Sequence, residues 1–248
     1  MEPAGHRCPT AGGRCELLSL GVGFGAKNEL LVLASGMDDA ANARGQRTPN
    51  NVHLFRSTDV GKSWSSGGEF PKRLPGDLKP YPFGGIVRGR DETLRTIVYS
   101  VDEARQNIDS AWMVTSRDAG LTWVEPVKIA EGIKESVLLP LAGQDWLCVA
   151  RTSNKPAPEL GQELRQFRST NDGQTWTDEG LVAGYHQHPP HLLRLEDQRL
   201  LLTYGNRRDG SIEARTTGTR GVRRISSTRP APETWATPAR PSFPTENS

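Results

Sequence analysis

The apolar positions of this chain fall in short runs separated by polar, glycine-rich turns, a pattern of strands rather than helices. Glu16–Gly25 and Leu30–Ser35 read as two strands joined by a turn at residues 26–29. Phe83–Arg88 and Leu94–Ser100 make a second pair around residues 89–92, and Ser136–Leu141 and Trp146–Arg151 a third around residues 142–145. His191–Leu195 and Arg199–Tyr204 make a fourth. A further strand-like run follows each of the first three pairs: Val52–Arg56, Ala111–Thr115 and Leu164–Arg168. The chain therefore repeats one small antiparallel unit.

Each of those further runs ends in the same motif. Ser57, Asp59, Gly61 and Trp64 recur as Ser116, Asp118, Gly120 and Trp123, and again as Ser169, Asn171, Gly173 and Trp176. The spacing S-x-[DN]-x-G-x-x-W suits a tight turn between strands. The Ser hydroxyl and the Asp or Asn oxygen can accept from backbone N–H groups of their own turn. Glycine can take positive φ, and tryptophan supplies a large apolar plug. Three copies at near-regular spacing mark a repeat architecture. The motif resembles the Asp-box (BNR) repeat of sialidase-type β-propellers, where it caps the turn before the outermost strand of a blade. The resemblance covers residues ~20 to 215 and implies an all-β fold, a sialidase-type propeller with about four blades of a six-bladed whole. It also implies that the boxes are structural and lie away from the active site.

Composition narrows the remaining choices. At 248 residues the chain is long enough for one all-β domain with a real core, and 26 Gly with 18 Pro fit many turns. A net charge of +2 without a dense Lys/Arg run gives no reason to expect a nucleic-acid partner. Three cysteines without a C-x-x-C suggest neither a disulfide framework nor a zinc site, and no cofactor is expected. Residues 1–15 read as an irregular lead-in without a basic-then-apolar leader, and no run reaches the ~18 apolar residues of a membrane span. The compartment stays open between a soluble protein and a secreted one.

The chemistry-bearing residues follow from strand ends and from the resemblance. Glu135 opens the third unit and Arg151 ends its second strand, while Arg207 and Arg208 follow the equivalent strand of the fourth. Paired guanidiniums match a carboxylate, so they suit an acidic sugar such as a sialoglycan. In the sialidase family three arginines clamp the sugar carboxylate, a Glu activates a Tyr nucleophile, and an Asp is the acid/base of a retaining hydrolysis. The resemblance maps the Glu onto Glu135, the second Arg onto Arg151, and the third onto Arg207 or Arg208. It leaves Arg7 for the first Arg, and Asp38 or Asp39, in the polar stretch 37–51, for the acid/base. No Tyr follows Tyr204, so the nucleophile is missing and the chain is expected to be incomplete and inactive. Blander readings stand beside these: a Glu135–Arg151 ion pair at a blade edge, and residues 207–210 as a polar turn. A non-catalytic propeller that binds carbohydrate or a protein is the alternative function. His186, His188 and His191 lack a fourth ligand at suitable spacing and read as a proline-flanked loop, and Tyr81 as a rim aromatic.

Residues 216–248 carry five prolines and scattered arginines with no alternation. They read either as a disordered tail or as an out-of-frame translation, since a shifted frame across residues 214–221 could encode a fourth box.

Overall fold

The computed structural model describes residues 16–26, 29–37, 51–105, 107–153 and 162–217. Arg7, Asp38, Asp39 and the 218–248 tail lie outside these residues. Fifteen strands and one 3-10 turn make up the regular structure among them.

The strands fall into four successive units. The first comprises β1 (Glu16–Phe24), β2 (Leu30–Met37), β3 (His53–Ser57) and the two-residue β4 (Ser65–Ser66). The second comprises β5 (Tyr81–Arg88), β6 (Leu94–Asp102), β7 (Ile108–Ser116) and β8 (Val124–Glu131). The third comprises β9 (Ile133–Pro140), β10 (Trp146–Thr152), β11 (Leu164–Ser169) and β12 (Thr177–Ala183). The fourth shows β13 (Gln187–Arg194), β14 (Leu200–Asn206) and β15 (Ser211–Thr217). Within each unit every strand pairs antiparallel with the next, in meander order.

Two features refine the expected blades. The first two units are not separate sheets: β1 and β5 pair in parallel over Gly21–Gly84, Val22–Gly85 and Gly23–Ile86, giving one eight-stranded sheet. Glycine makes this approach possible. A Cβ on Gly23 would stand 2.2 Å from the Ile86 carbonyl oxygen, and Gly84 has φ +86°. The other feature is that β13 starts at Gln187, earlier than its apolar run at His191, with Pro189 and Pro190 inside it. As the edge strand of its sheet, with a register shift against β14 between Gln187 and Pro190, it accommodates both prolines.

Three buried clusters fill the spaces between neighbouring units. Leu31, Leu33, Leu94 and Val114 pack between the first and second. Ile97, Met113, Leu138 and Trp146 pack between the second and third, and Val149, Leu164, Leu200 and Leu202 between the third and fourth. Alternation along β9 therefore sends Val137 toward the fourth unit and Leu138 toward the second.

Candidate carbohydrate site

Register separates two ends of the sheets. Trp146 pairs with Ser169, which begins the third box, whereas Arg151 pairs with Leu164 at the other end of the same two strands. The boxes therefore occupy the end opposite Arg151. The arginine end also holds the start of β9, the end of β14 and the start of β15.

At the boxes the hydrogen bonds are the same three times over. Gly61, Gly120 and Gly173 each donate N–H to the motif Ser hydroxyl at 2.8 Å. That Ser donates in turn to Asp59, Asp118 or Asn171. The same carboxylate or amide oxygen accepts from the backbone of Ser63, Thr122 or Thr175 at 2.9 Å. The Ser63 hydroxyl and backbone hold the Asp59 carboxyl down to about pKa 2. Each tryptophan adds a role beyond packing, its indole N–H donating to the box glycine carbonyl at 3.0–3.2 Å. The Ser, the Asp or Asn and the Trp of each motif thus all find hydrogen-bond partners within their own turn.

At the other end Glu135 and Arg151 meet. Arg151 Nη1 donates to Glu135 Oε1 at 2.7 Å, with the two side chains 15% and 23% exposed. A register shift between Ala150 and Thr152 sets two residues of β9, Lys134 and Glu135, opposite the single Arg151 of β10. Glu135 lies two residues before Val137 on β9, so both project toward the fourth unit. From that unit comes His188, 1% exposed, whose Nε2 lies 3.2 Å from Gln162 Oε1. Burial first, then the positive charges of Arg151 and Arg207, hold the His188 imidazole down to about pKa 4. Arg151 from the third unit and Arg207 from the fourth thus bear on one imidazole. His188 Nδ1 and Arg151 Nε are both buried without a hydrogen-bond partner among the described residues.

The remaining candidates divide. Arg207 is exposed in a turn at residues 207–210, its N–H donating to the His186 carbonyl at 2.9 Å. In the same turn the Arg208 N–H donates to Asn206 Oδ1 at 3.1 Å. Tyr81 stacks on Tyr99 with centroids 5.0 Å apart, so that ring face is occupied. Tyr204 is 2% exposed and donates its hydroxyl to Glu213 Oε2 at 2.9 Å. Burial pushes the Tyr204 phenol up, the wrong direction for a nucleophile. The polar side chains on the opposite face of β9 were not singled out by sequence. There Lys134 Nζ lies 3.6 Å from Asp109 Oδ2, which accepts from Ser153 Oγ at 2.5 Å. Their partners lie in different units, so only the lysine beside Glu135 could have hinted at them. Among the described residues no group of three or more His, Cys, Asp and Glu has the geometry to hold a metal ion. No helix among them is long and apolar enough to cross a membrane.

The model of the BNR repeat-like domain matches residues 30–240. The chain belongs to this family. No curated protein matches it. Among solved structures, this BNR repeat-like chain is similar to a protein of unknown function from Dyadobacter fermentans, at 24% identity and TM-score 0.67, over 81% of this chain and 60% of that one. It is also similar to the Penicillium chrysogenum alpha-L-arabinanase complexed with arabinobiose, at 19% identity and TM-score 0.59, over 76% of this chain and 57% of that one. Similarity to the Trypanosoma rangeli sialidase in complex with sialic acid is 16% identity and TM-score 0.56, over 83% of this chain and 37% of that one. At these identities the likeness is one of fold, that of sialidase and arabinanase propellers. The chain spans less than two thirds of the length of each.

Proposed function

We propose that this chain carries the acidic-sugar recognition half of a sialidase-type, retaining exo-glycoside hydrolase site. The observation that supports it is the Glu135–Arg151 pair, set on the face of β9 that looks toward His188 and Arg207. In this reading Arg151 and Arg207 bind the sugar carboxylate as charge-assisted, planar donors. Arg208 follows as the reserve for the same role. Glu135 holds Arg151 in place when no sugar is bound, and is the base that would activate a phenol. Arg7 and Asp39 are assigned by family pattern as a further arginine and the acid/base. Two carboxyl groups and a nucleophile would be needed for the double displacement.

A second reading, a glycan-binding propeller without turnover, draws on Tyr204. Its phenol is buried and committed to Glu213, whereas the exposed Tyr185 just ahead of β13 has its ring stacked on His186. A fluorogenic sialoside assay, run beside a binding titration with N-acetylneuraminate, separates the two. Turnover abolished by Glu135→Ala and Arg151→Ala supports the hydrolase. Binding without turnover, lost in Arg151→Ala, supports the module. Neither binding nor turnover contradicts both.

A further inference from the structure

Outside the Glu135–Arg151 site, a second group of charged and aromatic side chains gathers on the far side of the second unit. A cavity of about 260 Å³ opens between the outer strands of that unit and the segment that leads into β5. Ile108, Ser110 and Trp112 line it. Asp109, between the first two, instead bonds toward the third unit through Ser153 and Lys134. Strand alternation at the start of β7 thus puts the cavity and the third unit on opposite faces of one sheet.

We propose that this cavity binds one neutral saccharide ring, a site distinct from the acidic-sugar site. Three observations carry the inference. The first is the state of Trp112, whose indole N–H is already satisfied by Ser110 Oγ at 2.9 Å and Ser100 Oγ at 3.2 Å. The indole is 5% exposed, with Lys128 Nζ 5.1 Å from its ring centroid, so the apolar wall of the cavity is a narrow one, completed by Leu78 and Pro75. Sugars present C–H faces that suit such walls. The second is the charge balance. Asp102, Arg105, Lys128 and Glu131 all line the cavity, two acids against two bases. Glu131 accepts both Arg105 Nη atoms, at 2.9 and 3.0 Å, and Lys128 Nζ at 2.9 Å. Arg105 and then Lys128 hold the Glu131 carboxyl down to about pKa 2, so the balance persists at ordinary pH. An anionic sugar would meet two carboxylates here and a cationic one two bases, whereas a neutral polyol meets donors and acceptors together. Lys128 has N–H donors left after its bond to Glu131, and Arg105 retains its Nε. The third observation is size. The volume lies just below the ~300 Å³ at which drug-sized ligand sites begin, as a single ring requires.

The test is a two-dimensional NMR titration of the 248-residue chain, following the Trp112 indole N–H. Methyl galactoside, methyl arabinoside and N-acetylneuraminate are the probes. A neutral glycoside is expected to shift that resonance, and to bind about tenfold more weakly to Arg105→Ala, the loss of one charge-assisted hydrogen bond. Arg105 is 54% exposed, so its removal is compatible with folding. Leu78→Trp, which fills the cavity, should abolish the shift in a chain whose other indole resonances are unchanged. In Arg151→Ala the neutral glycoside should still bind, so this inference and the acidic-sugar reading fail separately. The proposal is overturned if neither neutral glycoside moves the Trp112 resonance, if Arg105→Ala and Leu78→Trp bind as the parent does, or if N-acetylneuraminate shifts it as strongly.

Discussion

Arg95 of the second unit donates through Nη2 to Asp172 Oδ2 of the third box at 2.6 Å, across a sequence separation of 77 residues. The same guanidinium makes two bonds of 2.9 Å to Asp91 and lies 4.7 Å from the Trp146 ring centroid. Trp146 closes the circuit, its indole N–H donating to Asp172 Oδ1 at 2.9 Å. Asp172 occupies a variable position of the box motif, yet it is the point at which two units are joined. Arg95 is 2% exposed and its aspartates about a third, so the pairing is shielded on the cation's side only. Arg95→Ala leaves a cavity beside Trp146 and two carboxylates that keep hydrogen bonds from Trp146 and Thr93 but lose their cation. A loss of about 3 kcal/mol is expected from chemical denaturation. Asp172→Asn, which keeps an acceptor for Trp146, should cost about 1 kcal/mol.

Box hydroxyls should cost more than their size suggests. Ser116 is fully buried, accepts from Gly120 N–H and orients Asp118. Ser116→Ala leaves that N–H without its acceptor, for an expected loss of about 1–2 kcal/mol in unfolding free energy, measured by chemical denaturation. Ser116→Thr, which restores the oxygen, should recover part of it.

A third prediction concerns pH. The folded chain keeps His188 neutral down to about pH 4, whereas the unfolded chain protonates it near 6.5. Between these values the unfolded state binds the extra proton, so stability falls as pH drops from about 6.5 to about 4 and is unaffected by this group above that window. His188→Gln should flatten the slope of unfolding free energy over that range, by up to about 1.4 kcal/mol per pH unit. Equal slopes in the two proteins would contradict the assignment.

Leu20, Val22 and Phe24, spaced two apart along β1, are 46%, 48% and 60% exposed. Such a stripe on an inner strand favours self-association. The chain should sediment as concentration-dependent oligomers, and Val22→Lys with Phe24→Glu should shift it toward monomer. A cooperative monomer in the parent chain would refute this.

The boxes were legible in sequence because their bonds run to residues two, three or four positions away. A local spacing therefore carries nearly all of their structure. The outer strands β8 and β12 were not, since Val124–Glu131 alternates too weakly between exposed and buried positions to register as a strand. Gln187–Pro190 read as a loop because prolines deny a ladder, except at an edge. Glu135 and Arg151 were legible as strand ends of one unit. His188, Lys134, Asp109 and Arg95 were not, because contact between units leaves no period in the chain. β15 escaped notice for a similar reason, its residues being mostly exposed.

The most direct measurement is calorimetric titration of the chain with N-acetylneuraminate and with its carboxyl methyl ester. The free acid should bind, the ester should bind at least tenfold more weakly, and both Arg151→Ala and Arg207→Ala should lose that preference. Equal affinity for acid and ester, or a preference that survives both substitutions, would contradict an acidic-sugar site built on these arginines.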